Sequence, residues 1–499
     1  MFDLFFWLPF LILMTSLLAG VITFFLSNES EGLRSFINLS SAVLKIVFVG
    51  ILMTGVYQGH VYEFRFPLFL KFDIVLHADA MSVLFVSLSS VLWLLTTIYA
   101  IGYFRKTPDQ SRFFGFFSLC VCATTAIAMS GNLFTFLVFY ELLTVTTYPL
   151  IVHRGDKAAL SAGRVYLGYT LLGGAVLLLA MVWLSSLSGS VDFVERGTFA
   201  GMDAKYYPQL VVIFFMLILG FGIKAAMVPL HGWLPVAMIA PAPVSALLHA
   251  VAVVKAGAFG IVRTVYDIYG IEFCREQGLL NVLIVVACVT IIYGSLRALS
   301  QDSLKRRLAF STVSQVSYIV LGVATLSATA STGGIVHLIH QGIMKITLFM
   351  CAGNLAREMN VSKISEMNGV ARRMPLTMGA FTVGALGMIG IPPMAGFVSK
   401  WYLGIGALEA NQPWVLVVLL ASSLLNAAYF LPIIYAAWFK EPETEKAKQI
   451  FPWLKEARLS LLFPPLITAG LTLLMGVFAG APFSPLTWAK LITFREYGF

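Results

Sequence analysis

The sequence predicts an all-α integral membrane protein of about 14 transmembrane helices, two of them interrupted by prolines. Three observations carry this. The 499 residues are 59% hydrophobic and only 11% charged, with mean hydropathy +0.88, whereas a soluble domain is about a quarter charged. Apolar runs of the about 20 residues needed to cross a bilayer recur along the whole chain. The basic residues between those runs also fall unequally on alternate loops.

In chain order the runs cover residues 3–26, 33–56, 80–101, 112–130, 133–152, 163–187, 209–238, 243–268, 279–297, 306–327, 332–354, 376–407, 414–438 and 461–480. The first carries Asp3 where a signal peptide carries positive charge, and it is too long for a signal core, so it reads as an uncleaved span. The seventh holds Pro229 and Pro235 around His231; the twelfth holds Gly390, Pro392, Pro393 and Gly396. Proline within a span frees backbone carbonyls, which protein or water must then meet. The side reached after odd-numbered spans collects 20 of the 33 lysines and arginines, in loops and at span ends, among them Arg105, Lys305, Lys446, Lys448 and Lys455. The other side collects 8, including Lys71, Arg263 and Arg495. The positive-inside rule then puts both termini outside. The formal charge of +9 is thus a topology signal rather than a nucleic-acid surface. Of five cysteines (Cys120, Cys122, Cys274, Cys288, Cys351), four lie inside apolar runs and read as small core residues; no CxxC, zinc or ferredoxin spacing exists.

The five remaining basic residues, Lys45, Lys224, Lys255, Lys345 and Lys400, all fall inside predicted spans. A charge at mid-bilayer costs about 2.5–3.5 kcal/mol on insertion scales, so each needs a partner, water or neutrality. A desolvated lysine exchanges protons near neutral pH as arginine does not. Glu141, in FYELLTVTTYP, is the carboxylate placed at mid-depth, and it reads either as a counter-ion or as a proton-handling switch. Lys224 precedes Pro229 by five residues, beside freed carbonyls. Lys255 follows His249 by six; on one helix they would stand about 9 Å and about 120° apart, as successive stations rather than a pair. His249 itself reads equally as a core histidine. Lys400 follows the second proline break as Lys224 precedes the first, and mirrored breaks point to inverted-repeat transporters. His337 and His340 share one helical face ahead of Lys345; a haem would need a second histidine-bearing span, so a hydrated relay is the better reading. Lys45 has no break or polar partner nearby in sequence and reads as structural or as a contact to another subunit. Asp79 reads as the N-cap of the third span.

The segments FYELLTVTTYPLIV, KAAMVPLHGWLPVAMIAPAPVSALLHAVAVVKAGAFGIVR, DSLKRRLAFSTVSQVSY, HLIHQGIMKITLFMCAG and GIPPMAGFVSKW resemble the antiporter-like subunits of respiratory complex I and of Mrp-type cation/proton antiporters, in order, over roughly residues 75–440. The resemblance implies two inverted five-helix repeats, at 112–268 and 279–438, behind three N-terminal helices (1–111) and ahead of a cytoplasmic loop and last helix (439–499). It also implies broken helices 7 and 12 and a hydrophilic axis at mid-membrane through Glu141, Lys224, Lys255 with His249, the histidines His337 and His340, and Lys400. Length and Lys400 suit the D-type component of Mrp antiporters; ELLTVTTYP departs from the commonest wording around the glutamate, so a complex I-like NADH:quinone oxidoreductase or hydrogenase-type complex stays open. The implied function is proton translocation, with sodium as a second candidate ion, in the inner membrane of a prokaryote alongside other membrane subunits. No flavin, cluster, haem or metal ligand set is legible, so no cofactor and no redox step of its own is expected.

Overall fold

The computed structural model describes residues 4–69, 72–189, 191–199, 202–442 and 456–499; Asp3, Lys71, Lys446, Lys448 and Lys455 lie outside the described residues. The chain opens with α1 (Leu4–Phe24) and α2 (Glu31–Tyr57), followed by a hairpin of β1 (Tyr62–Phe69) and β2 (Phe72–Ala78). Helices α3 (Ala80–Phe104), α4 (Gln110–Ala128), α5 (Leu133–Ile151), α6 (Lys157–Ser188) and α7 (Tyr207–Lys224) come next. Shorter pieces follow: α8 (Trp233–Val236), α9 (Ala242–Ala250), α10 (Val253–Arg263) with a wider-wound extension Thr264–Tyr269, and α11 (Ile271–Glu276). The second half comprises α12 (Leu279–Leu299), α13 (Leu304–Ala324), α14 (Ala328–Asn354), α15 (Pro375–Ile389), α16 (Ala395–Glu409), α17 (Pro413–Phe439), α18 (Leu459–Val477) and α19 (Pro485–Leu491).

Among the described residues thirteen helical stretches are long and apolar enough to span a membrane. The run expected at 376–407 divides into α15 and α16, each shorter than a full span, because Gly390 takes a left-handed φ of 93° and Pro392 and Pro393 deny the helix two amide donors. In the same way α7 stops at Lys224, and Pro229 lies in a non-helical stretch before α8.

Helix boundaries follow side-chain chemistry. Asp79 does cap α3, accepting from Ser82 N at 2.7 Å; Asn132 caps α5 and Asp156 caps α6 in the same way. To the expected helices the structure adds the antiparallel hairpin, Tyr62 facing Ala78 and Arg65 facing Val75. It is moored to the α4–α5 turn by His77 N→Met129 O (2.7 Å) and Gly131 N→Val75 O (2.9 Å).

Apart from the first turns of α13 and α14, the stretch Ala242–Tyr269 and helices α13 and α14 are enclosed by the rest of the bundle. On the perimeter, α2, α17 and α18 turn Val47, Val417, Leu424 and Leu474 outward, the apolar belt a bilayer requires. The innermost helices are therefore also those that carry most of the candidate site.

Candidate functional site

Glu141 stands half-way along α5, and α6 makes room for it with Gly174, where a Cβ would overlap the carboxyl oxygens. Its Oε1 is buried and has no hydrogen-bond partner. Lys224, the last residue of α7, donates to the carbonyl of Tyr140 and lies over the Tyr140 ring, 3.3 Å from its centroid. The ammonium is thus held by a backbone oxygen and a π-face of the residue preceding Glu141. The two charges sense each other but form no ion pair within contact distance in this structure. Gly257 lets α10 press against this helix end, for a Cβ there would overlap the amide nitrogen of Ala225. Trp233 Nε1 meets one freed carbonyl, donating to Ile223 O at 2.7 Å.

His249 and Lys255 do not share a continuous helix. The backbone is irregular at Val251 and Ala252, so His249 closes α9 and Lys255 opens α10, and the rotation counted along one helix does not apply. His249 stacks on Phe349 at 4.5 Å, with both ring nitrogens unpartnered. Lys255 is fully enclosed and, among the described residues, is the one lysine whose buried amine has no hydrogen-bond partner.

On α14, His337 Nδ1 is 2.8 Å from Ser399 Oγ, while both nitrogens of His340 are unpartnered. His337 lies within electrostatic reach of both Lys255 and Lys400, which brings residues of α10, α14 and α16 into one neighbourhood. Lys345 donates to Leu308 O at 3.1 Å and to Ser311. Lys400 folds back on the end of α15, donating to Met388 O (3.0 Å), Ile389 O (2.8 Å) and Ser423 Oγ (3.0 Å). Carbonyls released by the helix break thus receive a lysine. Lys45 is apart from these groups, donating to Ser16 and Thr125 beside the Trp93 ring.

Four residues belong with this set that sequence reasoning passed over. Gln315, Tyr318 and Gln341 point unpartnered side-chain atoms into the enclosed core of α13 and α14. Lys305, counted as a loop residue, donates to Met238 O (3.0 Å) and Ala240 O (2.5 Å) where the chain enters α9. The signal was present in STVSQVSY and HQG, polar residues inside an apolar frame. An unpaired buried polar group is costly, so a row of them in one core stands out from ordinary packing. All five cysteines are buried, and no group of three or more His, Cys, Asp or Glu among the described residues is arranged to hold a metal ion.

A transmembrane family model, NADH:quinone oxidoreductase/Mrp antiporter, matches residues 130–426, the stretch holding Glu141, Lys224, His249, Lys255, His337, His340, Lys345, Lys400 and both interruptions, but not Lys45. The chain belongs to this family. It is 36% identical over 406 residues to NADH-quinone oxidoreductase subunit N of Desulforudis audaxviator, covering 77% of this chain and 78% of that one. It is 28% identical over 474 residues to the D component of the Na(+)/H(+) antiporter of Bacillus subtilis, covering 94% and 93%. Its fold matches a chain in the structure of the Mrp complex from Dietzia sp. DQ12-45-1b with a TM-score of 0.85 at 24% identity, over 100% of this chain and 98% of the other. It is thus a multi-pass antiporter-like membrane protein whose relatives work inside multisubunit complexes.

Proposed function

We propose that this chain is a proton-translocating subunit of a multisubunit cation/proton antiporter, moving protons along Glu141, Lys224, Lys255, His249, His337, His340, Lys345 and Lys400. The observation that carries the reading is the set of amines, buried at Lys224, Lys255 and Lys345 and half-buried at Lys400, without a carboxylate in ion-pair contact, with Lys255 having no partner at all among the described residues. Amines so placed gain or lose a proton with each rearrangement of the few charges near them.

Lys224 has two seats within reach. One is the Tyr140 carbonyl and ring, where it rests in this structure. The other is the Glu141 carboxylate, one residue on. Paired at 4 Å, the two charges would interact by roughly 4 kcal/mol at an effective dielectric of 20. A membrane potential supplies about 2.3 kcal/mol per charge per 100 mV. These are the same size, so movement of Lys224 between its seats is enough to gate a proton. Off the carboxylate, Lys224 hands its proton towards Lys255, and His337 links that amine to Lys400. The basic loops favour both termini outside in the inner membrane of a prokaryote, and in this reading the proton enters from the cytoplasmic side.

A second reading, the proton-pumping membrane subunit of a complex I-like oxidoreductase or hydrogenase-type complex, is favoured by the 36% identity to a subunit N. In both the chain itself performs no redox chemistry, and partner subunits supply the coupling. Glu141→Ala in the assembled complex, assayed by proton uptake into inverted vesicles, is expected to abolish transport while leaving assembly intact. Wild-type uptake in that variant would refute the role of Glu141. Dependence of uptake on a sodium gradient would separate antiport from redox-driven pumping.

A further inference from the structure

At the face where α3 begins, the C-terminal residues enter the bundle and complete a buried charged cluster. Arg263, at the end of α10, donates to Asp79 through both terminal nitrogens, to Asp267 at 3.0 Å and to Ser82 at 2.9 Å. Glu496 joins from the chain terminus. Its Oε1 accepts from the amide of Ala80, the first residue of α3, and its Oε2 is buried and unpartnered, with the side chain 6% exposed. The charges do not balance. Three carboxyls, Asp79, Asp267 and Glu496, surround one enclosed guanidinium, and two of them already occupy its hydrogen-bonding edges. The nearest other cation, Arg495, is 3.7 Å from Glu496 Oε1, partly in solvent, and bonded to Val56 O at 3.0 Å. His77 and Glu195 stand at the margin of the cluster, and Tyr497 directs a buried, unpartnered hydroxyl into the same region. A third ionised carboxyl here would be an uncompensated buried charge.

We propose that Glu496 carries a proton at neutral pH and is the station where the pathway exchanges protons with water on the C-terminal face. Burial, reinforced by the Asp79 carboxylate, pushes its carboxyl up to about 8, against the opposing pull of Arg263. Two features join it to the enclosed axis. The Tyr497 ring stacks on Tyr266 at 4.0 Å, and the Tyr266 hydroxyl lies 2.6 Å from Ser331 Oγ on α14. Six residues along that helix, about 9 Å, is His337. Arg263 itself is eight residues, about 12 Å, along α10 from Lys255, while the direct line between α3 and α10 is filled by the Phe85–Phe259 ring pair at 5.0 Å. The polar route therefore passes by way of Tyr266 and Ser331. On the solvent side Arg495, 39% exposed and 3.7 Å away, stands beside the carboxyl, so the station is separated from bulk water by one long side chain.

This inference rests on the transport reading above, and its test separates the two. Infrared difference spectra of the assembled complex, titrated from acid to alkaline pH with isotope-labelled glutamate, are expected to show a protonated-carboxyl band that shifts with the label. The band should bleach with a midpoint near pH 8, matching the raised carboxyl at about 8, and be absent in Glu496→Gln. Glu496→Gln keeps the acceptor for Ala80 N, so a purely structural role would leave transport unchanged, whereas a station predicts proton uptake slowed by about tenfold or more. A wild-type spectrum with no labelled band at neutral pH, or a folded Glu496→Gln complex with unaltered band and rate, overturns the proposal. Glu141→Ala run alongside tests the pathway itself: normal transport there refutes that pathway while the infrared result on Glu496 stands.

Discussion

At the scale of single residues, the lysines differ chiefly in what they touch; Lys45, Lys224, Lys255 and Lys345 are buried and Lys400 is half-buried. Lys224, Lys345 and Lys400 each donate to main-chain carbonyls, and Lys45 to hydroxyls; Lys255 donates to nothing among the described residues. An enclosed amine without a partner destabilises the fold unless it is neutral or hydrated. Replacing it with an apolar chain of similar length should therefore help stability and harm function. Lys255→Met is expected to raise the thermal midpoint in detergent, by the equivalent of about 1–3 kcal/mol, while abolishing proton uptake. A lowered midpoint would mean that the amine anchors the core, and full uptake would remove Lys255 from the pathway. The buried lysines themselves were legible from sequence, because charge inside an apolar run is conspicuous. The Tyr140 carbonyl that receives Lys224 was not, since every residue carries a carbonyl and only folding selects one.

At the scale of elements, proline and glycine announced the interruptions at α7–α8 and α15–α16. The one between α9 and α10 was not announced, for HAVAVVK contains neither residue and its irregular backbone comes from packing, where Gly342 of α14 closes on the carbonyl of Ala250. The hairpin was overlooked for a related reason: its strands are short, and their aromatic and aliphatic residues blend with the flanking spans. Its polar face is nevertheless a sensitive element. The contact with His77, 3.4 Å away, helped by Arg65, holds the Glu63 carboxyl at about 2. For His77 burial opposes the charge, but Glu63 and Asp79 outweigh it and raise its pKa above the usual 6.5. The stabilisation from Glu63 is complete above its ordinary 4.5 and fades as pH falls towards about 2. That from His77 is complete below 6.5 and fades as pH rises through its raised value. Amide exchange across Tyr62–Ala78, corrected for intrinsic rates, should therefore show greatest protection between pH 4.5 and 6.5. His77→Gln should remove the alkaline decline, and an unchanged alkaline limb in that variant would show that the pair contributes nothing.

At the scale of the whole molecule, direction across the membrane decides what the proposed pathway accomplishes, and the charge collected on each side predicts that direction. Twenty basic residues lie after odd-numbered spans and 8 after even-numbered ones, an asymmetry that sets orientation during insertion. Division of the twelfth run into α15 and α16 leaves the alternation intact, provided the two together cross once. The turn after α3 should then face the cytoplasm and the turn after α2 the outside. Pro108 and Gln58 are exposed representatives of these turns, and all five native cysteines are buried, so single introduced thiols would be read against a low background. Gln58→Cys is expected to react with a membrane-impermeant maleimide in intact cells, and Pro108→Cys only in inverted vesicles. The reverse pattern would turn the molecule over. It would place the Glu496 cluster on the cytoplasmic side, and the same carboxyl would then stand where protons are taken up rather than released. Reaction of both thiols from one side would instead break the alternation and require that one apolar run fails to cross.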